Sequence, residues 1–193
     1  IFNADISDEE IIEATNCLNI NKSVGGTCIP QQVVFGIDLL LPFLMKLFNR
    51  LFRNGEFSTQ WANFAIIPIF KKGDSENPSN YRGIAIIGLL SKLYISTITK
   101  RLTLYTEAYS TLSKSQAGFR AGYRTTDNAF ILYSLVSKYI RVKSKPLYVC
   151  FVDFQKAFDS MNRRLLYNVL HKNGVKGNLL KSIQSIYSNV KSC

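Results

Sequence analysis

The chain has a single histidine, His171, and four cysteines, Cys17, Cys28, Cys150 and Cys193, set far apart with no Cys-x-x-Cys pair among them. It therefore carries no zinc-binding pattern. Reduced thiols, as in the cytosol or nucleus, fit this spacing better than a disulfide scaffold, and Cys150, inside an apolar run, reads as a small core residue. A membrane-spanning run is also missing. The longest apolar region, residues 33–52, is interrupted by Asp38, Pro42, Lys46 and Arg50, and the N-terminus has no signal-peptide pattern. Acidic side chains are scarce beyond residue 64, where 6 stand against 20 basic ones.

What is present is the composition of a globular protein: 47% hydrophobic and 19% charged over 193 residues, enough chain for one large domain or two lobes. The net charge of +11 divides unevenly, −3 over residues 1–64 and +14 over 65–193. The basic residues are spread in ones and twos rather than gathered in a tail. Such a surface attracts polyanions, nucleic acid first among them, or is simply a solvated face; charge alone leaves both open. No internal repeat or low-complexity segment is visible.

The spacing predicts the following elements. Ser7-Asp8-Glu9-Glu10 has the form of a capping box ahead of Ile11, Ile12, Thr15 and Leu18 at helical spacing. A loop with Gly25, Gly26 and Pro30 follows. Residues 31–54 read as helical, with Pro42 starting a second helix and Gly55 past its end. Residues 62–71 look like a strand that Pro68 places at an edge or bulge. Lys71-Lys72-Gly73-Asp74 opens a turn, and 83–87 resume an extended pattern, so a β-hairpin with a basic, flexible tip is expected. Helices follow over about 90–102, 126–142 (with Asp127 in its first turn), 162–173 (stopped by Gly174) and 178–188. The fold class is mixed α/β (α+β).

Tyr148-Val149-Cys150-Phe151-Val152-Asp153 is an apolar run ending on a carboxylate. It reads as a buried strand over 147–153 that delivers Asp153 to a loop. A carboxylate there is costly unless a cation or strong donors offset its desolvation, which suits a divalent metal carrying nucleotide phosphates. On pattern alone a helix cap or turn residue is an equal reading. Asp159 is not taken as a second ligand: Asp159-Ser160 suits capping of the following helix.

Three segments carry a resemblance that none carries alone. They are Ile67-Pro68-Ile69-Phe70-Lys71-Lys72-Gly73-Asp74 with Asn77-Pro78-Ser79-Asn80-Tyr81-Arg82-Gly83-Ile84; Leu112-Ser113-Lys114-Ser115-Gln116-Ala117-Gly118-Phe119-Arg120 with Thr125-Thr126-Asp127; and Phe151-Val152-Asp153-Phe154-Gln155-Lys156-Ala157-Phe158-Asp159. In this order and at these separations they resemble the reverse transcriptase of non-long-terminal-repeat (LINE-type) retrotransposons, over essentially the whole chain. The resemblance implies a right-hand polymerase: an N-terminal helical extension of the fingers (1–60), fingers with a basic hairpin (61–145) and the first part of the palm (146–193). It implies an RNA-directed DNA polymerase working with RNA template, DNA primer and deoxynucleoside triphosphates. Its two magnesium ions would be held in part by Asp153 and the backbone carbonyl of Phe154.

By the same resemblance Lys71, Lys72 and Arg82 clasp the triphosphate, Arg as a bidentate fork and Lys as a point charge; a solvated turn is the competing reading, equal in weight for Lys71. Phe158 excludes a 2′-hydroxyl from the incoming sugar, against the alternative of an ordinary core phenylalanine. Gln116, Gly118, Phe119 and Arg120 border the template path, where Arg120, Arg124 and Lys114 meet phosphates. Two departures stand out. Tyr123-Arg124 replaces a basic residue followed by serine, and Val24-Gly25-Gly26-Thr27-Cys28-Ile29-Pro30 lacks the family's proline and acidic residue.

The partner carboxylates of the family come from a later Asp-Asp motif, and Asp159 is the last acidic residue here. The chain starts at Ile1 rather than Met, so a piece of something longer, inactive by itself, is expected. The alternative is a non-catalytic basic RNA-binding module left from a degenerate retroelement. Either would reside in cytoplasm and nucleus as a ribonucleoprotein. Endonuclease domain, target site, copied RNA and oligomeric state have no signal in the sequence.

Overall fold

The computed structural model describes residues 1–18, 36–155, 157–158, 160–189 and 191–192. The loop at 24–30, the stretch 31–35 and Asp159 fall outside these residues. The chain divides into two compact units, one made of Ile1–Tyr105 with Arg163–Cys193 and the other of Thr106–Asn162.

The first unit is built on helices. α1 (Asp8–Asn16) starts at the expected capping box: Ser7 Oγ accepts from Glu10 N–H at 3.4 Å, and Glu10 Oε2 accepts from Ser7 N–H at 2.9 Å. α2 (Ile37–Asn54) ends on Gly55 at φ +66°, the left-handed conformation that closes a helix most cheaply in glycine. Pro42 corrects the sequence reading, since it lies inside α2 rather than at the start of a second helix. It sits one turn in, where its ring displaces only the bond to the Asp38 carbonyl, and burial of Leu44, Phe48 and Phe52 at four-residue spacing holds the helix across it.

Those three side chains meet Phe57, Trp61 and Tyr94 in an aromatic core, with Phe48–Tyr94 rings 5.4 Å apart and Phe57–Trp61 rings 5.9 Å apart, both edge to face. α3 (Leu89–Ala108) supplies Leu93, Tyr94, Thr97, Ile98 and Arg101 to this core. α5 (Arg163–Lys172) leads through Gly174, at φ +86°, into α6 (Gly177–Asn189), whose Leu179 and Ile183 complete it. Tyr94 Oη and Ser182 Oγ hydrogen-bond at 3.2 Å inside it.

β1 (Asn63–Phe70) pairs antiparallel with β2 (Tyr81–Ile86), Pro68 opposite Gly83 and Ile69 opposite Arg82. Lys71 N–H donates to Asn80 C=O at 2.9 Å, so by alternation Pro68 falls at a non-hydrogen-bonded pair with its missing N–H on the outer edge. On that edge β3 (Lys191–Ser192) reaches only Asn63 and Phe64. Gly83 is a fitted position: a Cβ there would lie 2.8 Å from Ile66 Cγ2.

The second unit contains α4 (Thr125–Val136), which continues into a π-helical turn over Ser137–Val142. Asp127 occupies the first turn as expected and accepts from Arg124 N–H at 2.8 Å. The expected strand over 147–153 is not formed. Residues 146–154 are irregular, and Tyr148, Phe151 and Val152 are exposed. A strand needs a partner, and among the described residues none pairs with this segment, so its apolar run has no sheet to join. Cys150 is accordingly exposed rather than a core residue. Among the described residues no helix is long and apolar enough to cross a membrane.

Candidate functional site

In the hairpin, strand alternation decides which cations act together. Lys71 continues the β1 register, and Arg82 stands opposite Ile69, so Lys71 and Arg82 share one face with Ile67, Ile69 and Ile84. The register thus singles out Lys71, which sequence alone left level with a solvated turn, as the neighbour of Arg82. Lys72 follows in the turn, and all three side chains are exposed. Among the described residues none of the three forms a salt bridge.

The tip is a bonded turn. Asp74 Oδ1 accepts from Glu76 N–H at 2.9 Å, Asn77 Oδ1 from Ser79 N–H at 2.9 Å, and Asn80 Nδ2 donates to Asp74 C=O at 2.9 Å. Gly73, at φ +95°, brings its backbone against Asn80, where a Cβ would stand 2.8 Å from Nδ2. These bonds hold the turn backbone and involve neither lysine side chain among the described residues.

In the second unit the loop before α4 is organised around Arg120. Its Nε and Nη2 donate to Glu107 Oε1 and Oε2 at 2.8 and 2.7 Å, and Nη1 donates to the carbonyls of Ser113 and Gln116 at 3.0 and 3.3 Å. The guanidinium also stacks over Tyr123, 4.4 Å from the ring centre. Hydrogen bonding to Glu107 raises the Arg120 pKa, and the same bond lowers that of Glu107. Arg120 therefore spends its donors within the loop, whereas Lys114 and Arg124 have no salt bridge among the described residues. Glu107 was missed by sequence reasoning, although it is the one acidic residue between Glu76 and Asp127 in a basic stretch.

Between this loop and the start of α4 lies an open depression of about 590 Å³, lined by Phe119, Arg120, Tyr123, Arg124 and Thr125 among others. Phe119 is 95% exposed and meets the Phe158 ring edge to face at 6.1 Å. Phe158 is itself 76% exposed among the described residues.

Asp153 and Phe154 are exposed on the irregular segment 146–154. Among the described residues no three of His, Cys, Asp and Glu gather as a metal-holding group. Asp153 with the adjacent carbonyl thus offers part of an oxygen shell, short of a site that holds an ion by itself.

A basic hairpin, a guanidinium-centred loop and a segment bearing Asp153 follow one another along the chain. The family model described as "Reverse transcriptase (RNA-dependent DNA polymerase)" matches residues 69–192, and the chain belongs to that family. It is 32% identical over 157 residues to "Probable RNA-directed DNA polymerase from transposon BS" of Drosophila melanogaster, covering 78% of this chain and 17% of the relative. It is 27% identical over 188 residues to "RNA-directed DNA polymerase from mobile element jockey" of Drosophila funebris, covering 95% of this chain and 20% of the relative. With "Retrovirus-related Pol polyprotein from type-1 retrotransposable element R2" of Popillia japonica it shares 32% over 121 residues, covering 63% of this chain and 16% of the relative. The chain therefore spans at most a fifth of the length of these relatives. Members of the family in general use divalent metal ions and act on an RNA template and nucleotides.

Proposed function

We propose that this chain forms fingers (61–145) and the beginning of the palm (146–193) of an RNA-directed DNA polymerase encoded by a non-long-terminal-repeat retrotransposon, with residues 1–60 as a helical extension of the fingers. The observation that carries the proposal is the hairpin register, which puts Lys71 and Arg82 on one face with Lys72 at the turn, inside a family-matched segment. These three cations hold the triphosphate of the incoming deoxynucleotide, Arg82 by its planar fork. Gln116 and Arg120 shape the loop that borders the RNA template. Arg120 does so by fixing the backbone, while Lys114 and Arg124 present charge to phosphates. Phe158 lies under the incoming sugar.

Asp153 and the Phe154 carbonyl contribute ligands to magnesium, and the remaining carboxylates come from elsewhere in the complete polymerase. When bound, the ions supply charge stabilisation for nucleotidyl transfer. This chain's own part is to hold, orient and neutralise the triphosphate.

The test is primer extension by the full-length protein on an RNA template. Magnesium-dependent DNA synthesis that disappears in Asp153→Asn supports the proposal. RNA binding without any synthesis, in wild type as in the variant, supports a non-catalytic RNA-binding module instead. Vigorous synthesis by residues 1–193 alone would show that the metal-site account is wrong.

A further inference from the structure

Phe119 has a conformation that folding does not explain. It adopts φ +62°, a left-handed backbone that costs a bulky residue free energy, and yet it is 95% exposed, so the ring gains almost no burial in return. The backbone just after it is fixed, because Arg120 is tied to Glu107, Ser113 and Gln116 and stacked on Tyr123. The ring has one aromatic neighbour among the described contacts, Phe158, at 6.1 Å and 83°. An anchored loop thus presents an exposed aromatic residue at a depression lined also by Arg124, Thr125, Thr126 and Asn128.

An open ring beside a cation and small hydrogen-bonding groups matches a nucleobase with its phosphate better than an apolar protein segment, which would leave those polar groups unpaired. The basic excess of residues 65–193 favours the same polyanion. We propose that Phe119 is a stacking platform for an unpaired base of a single-stranded nucleic acid, with Arg124 receiving a neighbouring phosphate. Naming that strand as the RNA template rests on the polymerase reading; the stacking itself does not require catalysis. Stacking is indifferent to base identity, since every base has a π-face, so the contact holds a strand in place without selecting sequence.

The test uses the full-length protein and a single-stranded oligoadenylate of roughly 12 nucleotides carrying 2-aminopurine. Affinity, fluorescence quenching and the salt dependence of binding are measured together. Phe119→Leu should bind about tenfold more weakly with its salt slope unchanged, because a stack and no phosphate contact is lost. Phe119→Trp should keep the affinity and the quenching. Arg124→Gln should bind more weakly and reduce the salt slope by about one. Affinity of Phe119→Leu within about twofold of wild type, or quenching that survives in it, overturns the proposal.

The two readings fail separately. Loss of RNA affinity in Phe119→Leu with no primer extension by wild type keeps the platform and removes the polymerase. Asp153-dependent extension with RNA affinity unchanged in Phe119→Leu does the reverse.

Discussion

Arg101 and Glu10 form a two-bond ion pair, Nε to Oε1 and Nη2 to Oε2, both at 2.6 Å, between α3 and the first turn of α1. The guanidinium side chain is 4% exposed, lies 4.9 Å above the Phe52 ring and donates also to the carbonyls of Ala4 and Asp5 at 2.6 Å. It therefore ties the N-terminal segment to the core through one carboxylate and two backbone carbonyls. Arg101→Met should destabilise the first unit by about 3 kcal/mol or more, since Glu10 is left partly buried without its counter-ion. Urea denaturation of the variant measures this. A change below about 1 kcal/mol would mean the segment is held by apolar contacts alone.

The same pair sets an acid limit on stability. Burial pushes the Glu10 carboxyl up, but hydrogen bonds from Arg101 and Ser7 N–H and the charges of Arg101 and Lys100 outweigh it, so the pKa lies below 4.5. The hydrogen bond from Arg53 likewise lowers Asp5 below 3.8. A carboxyl depressed in the folded state binds fewer protons there than in the unfolded chain. Its contribution is thus complete above the unfolded pKa and disappears as pH falls through the folded one. The urea midpoint should be flat from pH 7 to about 5 and then decline, and Arg101→Met should decline less steeply over the acid range. Equal slopes in both proteins would count against a role for Glu10.

Glu107 should matter to nucleic-acid binding without touching the strand. Glu107→Gln removes the charge that fixes the Arg120 fork, so amides of residues 113–124 should exchange hydrogen on the order of tenfold faster while those of the aromatic core do not change. Weaker RNA binding should accompany this, and a second change, Arg120→Lys, should reproduce it because lysine has no planar fork. Exchange at wild-type rates would show the loop to be held by its own backbone bonds.

Gly174 links a helix end to the core. At φ +86°, a Cβ there would stand 2.4 Å from Tyr105 Oη, which hydrogen-bonds the Asn173 carbonyl at 3.0 Å. Gly174→Ala should cost about 1–3 kcal/mol, from backbone strain together with displacement of that hydroxyl. Combining it with Tyr105→Phe removes the closest atom and should recover part of the loss, as a double-mutant cycle would register.

Local signals in the sequence translated well into structure. The capping box at Ser7, the stop at Gly174, the hairpin around Gly73 and the first-turn Asp127 each depend on a few neighbouring residues, and each is found. What depended on distant partners was harder to read. The strand expected at 147–153 has the right apolar run, but pairing is a property of two segments, and no described residue supplies the second. Arg101 carried no signal, because its partners lie 91 to 100 positions away. Arg120 was legible as a cation in the loop before α4, but not as one whose donors are spent on Glu107. The family match came from the order of segments and needed none of these contacts.

Phe158 offers the sharpest check on the proposed role of residues 146–193. Its ring is 76% exposed and touches the Phe119 ring edge to face, so shortening it opens no cavity in a core. If it lies under the incoming sugar, Phe158→Val in the full-length protein should raise ribonucleotide incorporation relative to deoxyribonucleotide on the order of tenfold. The change should fall on kcat/KM for the ribonucleotide, with that for the deoxynucleotide little altered, because bulk is removed where only the 2′-hydroxyl needs room. Single-nucleotide extension on an RNA template with each substrate separates the two. An equal loss for both sugars would instead indicate that Phe158 acts by bracing Phe119, and Phe119→Leu should then show the same kinetic pattern.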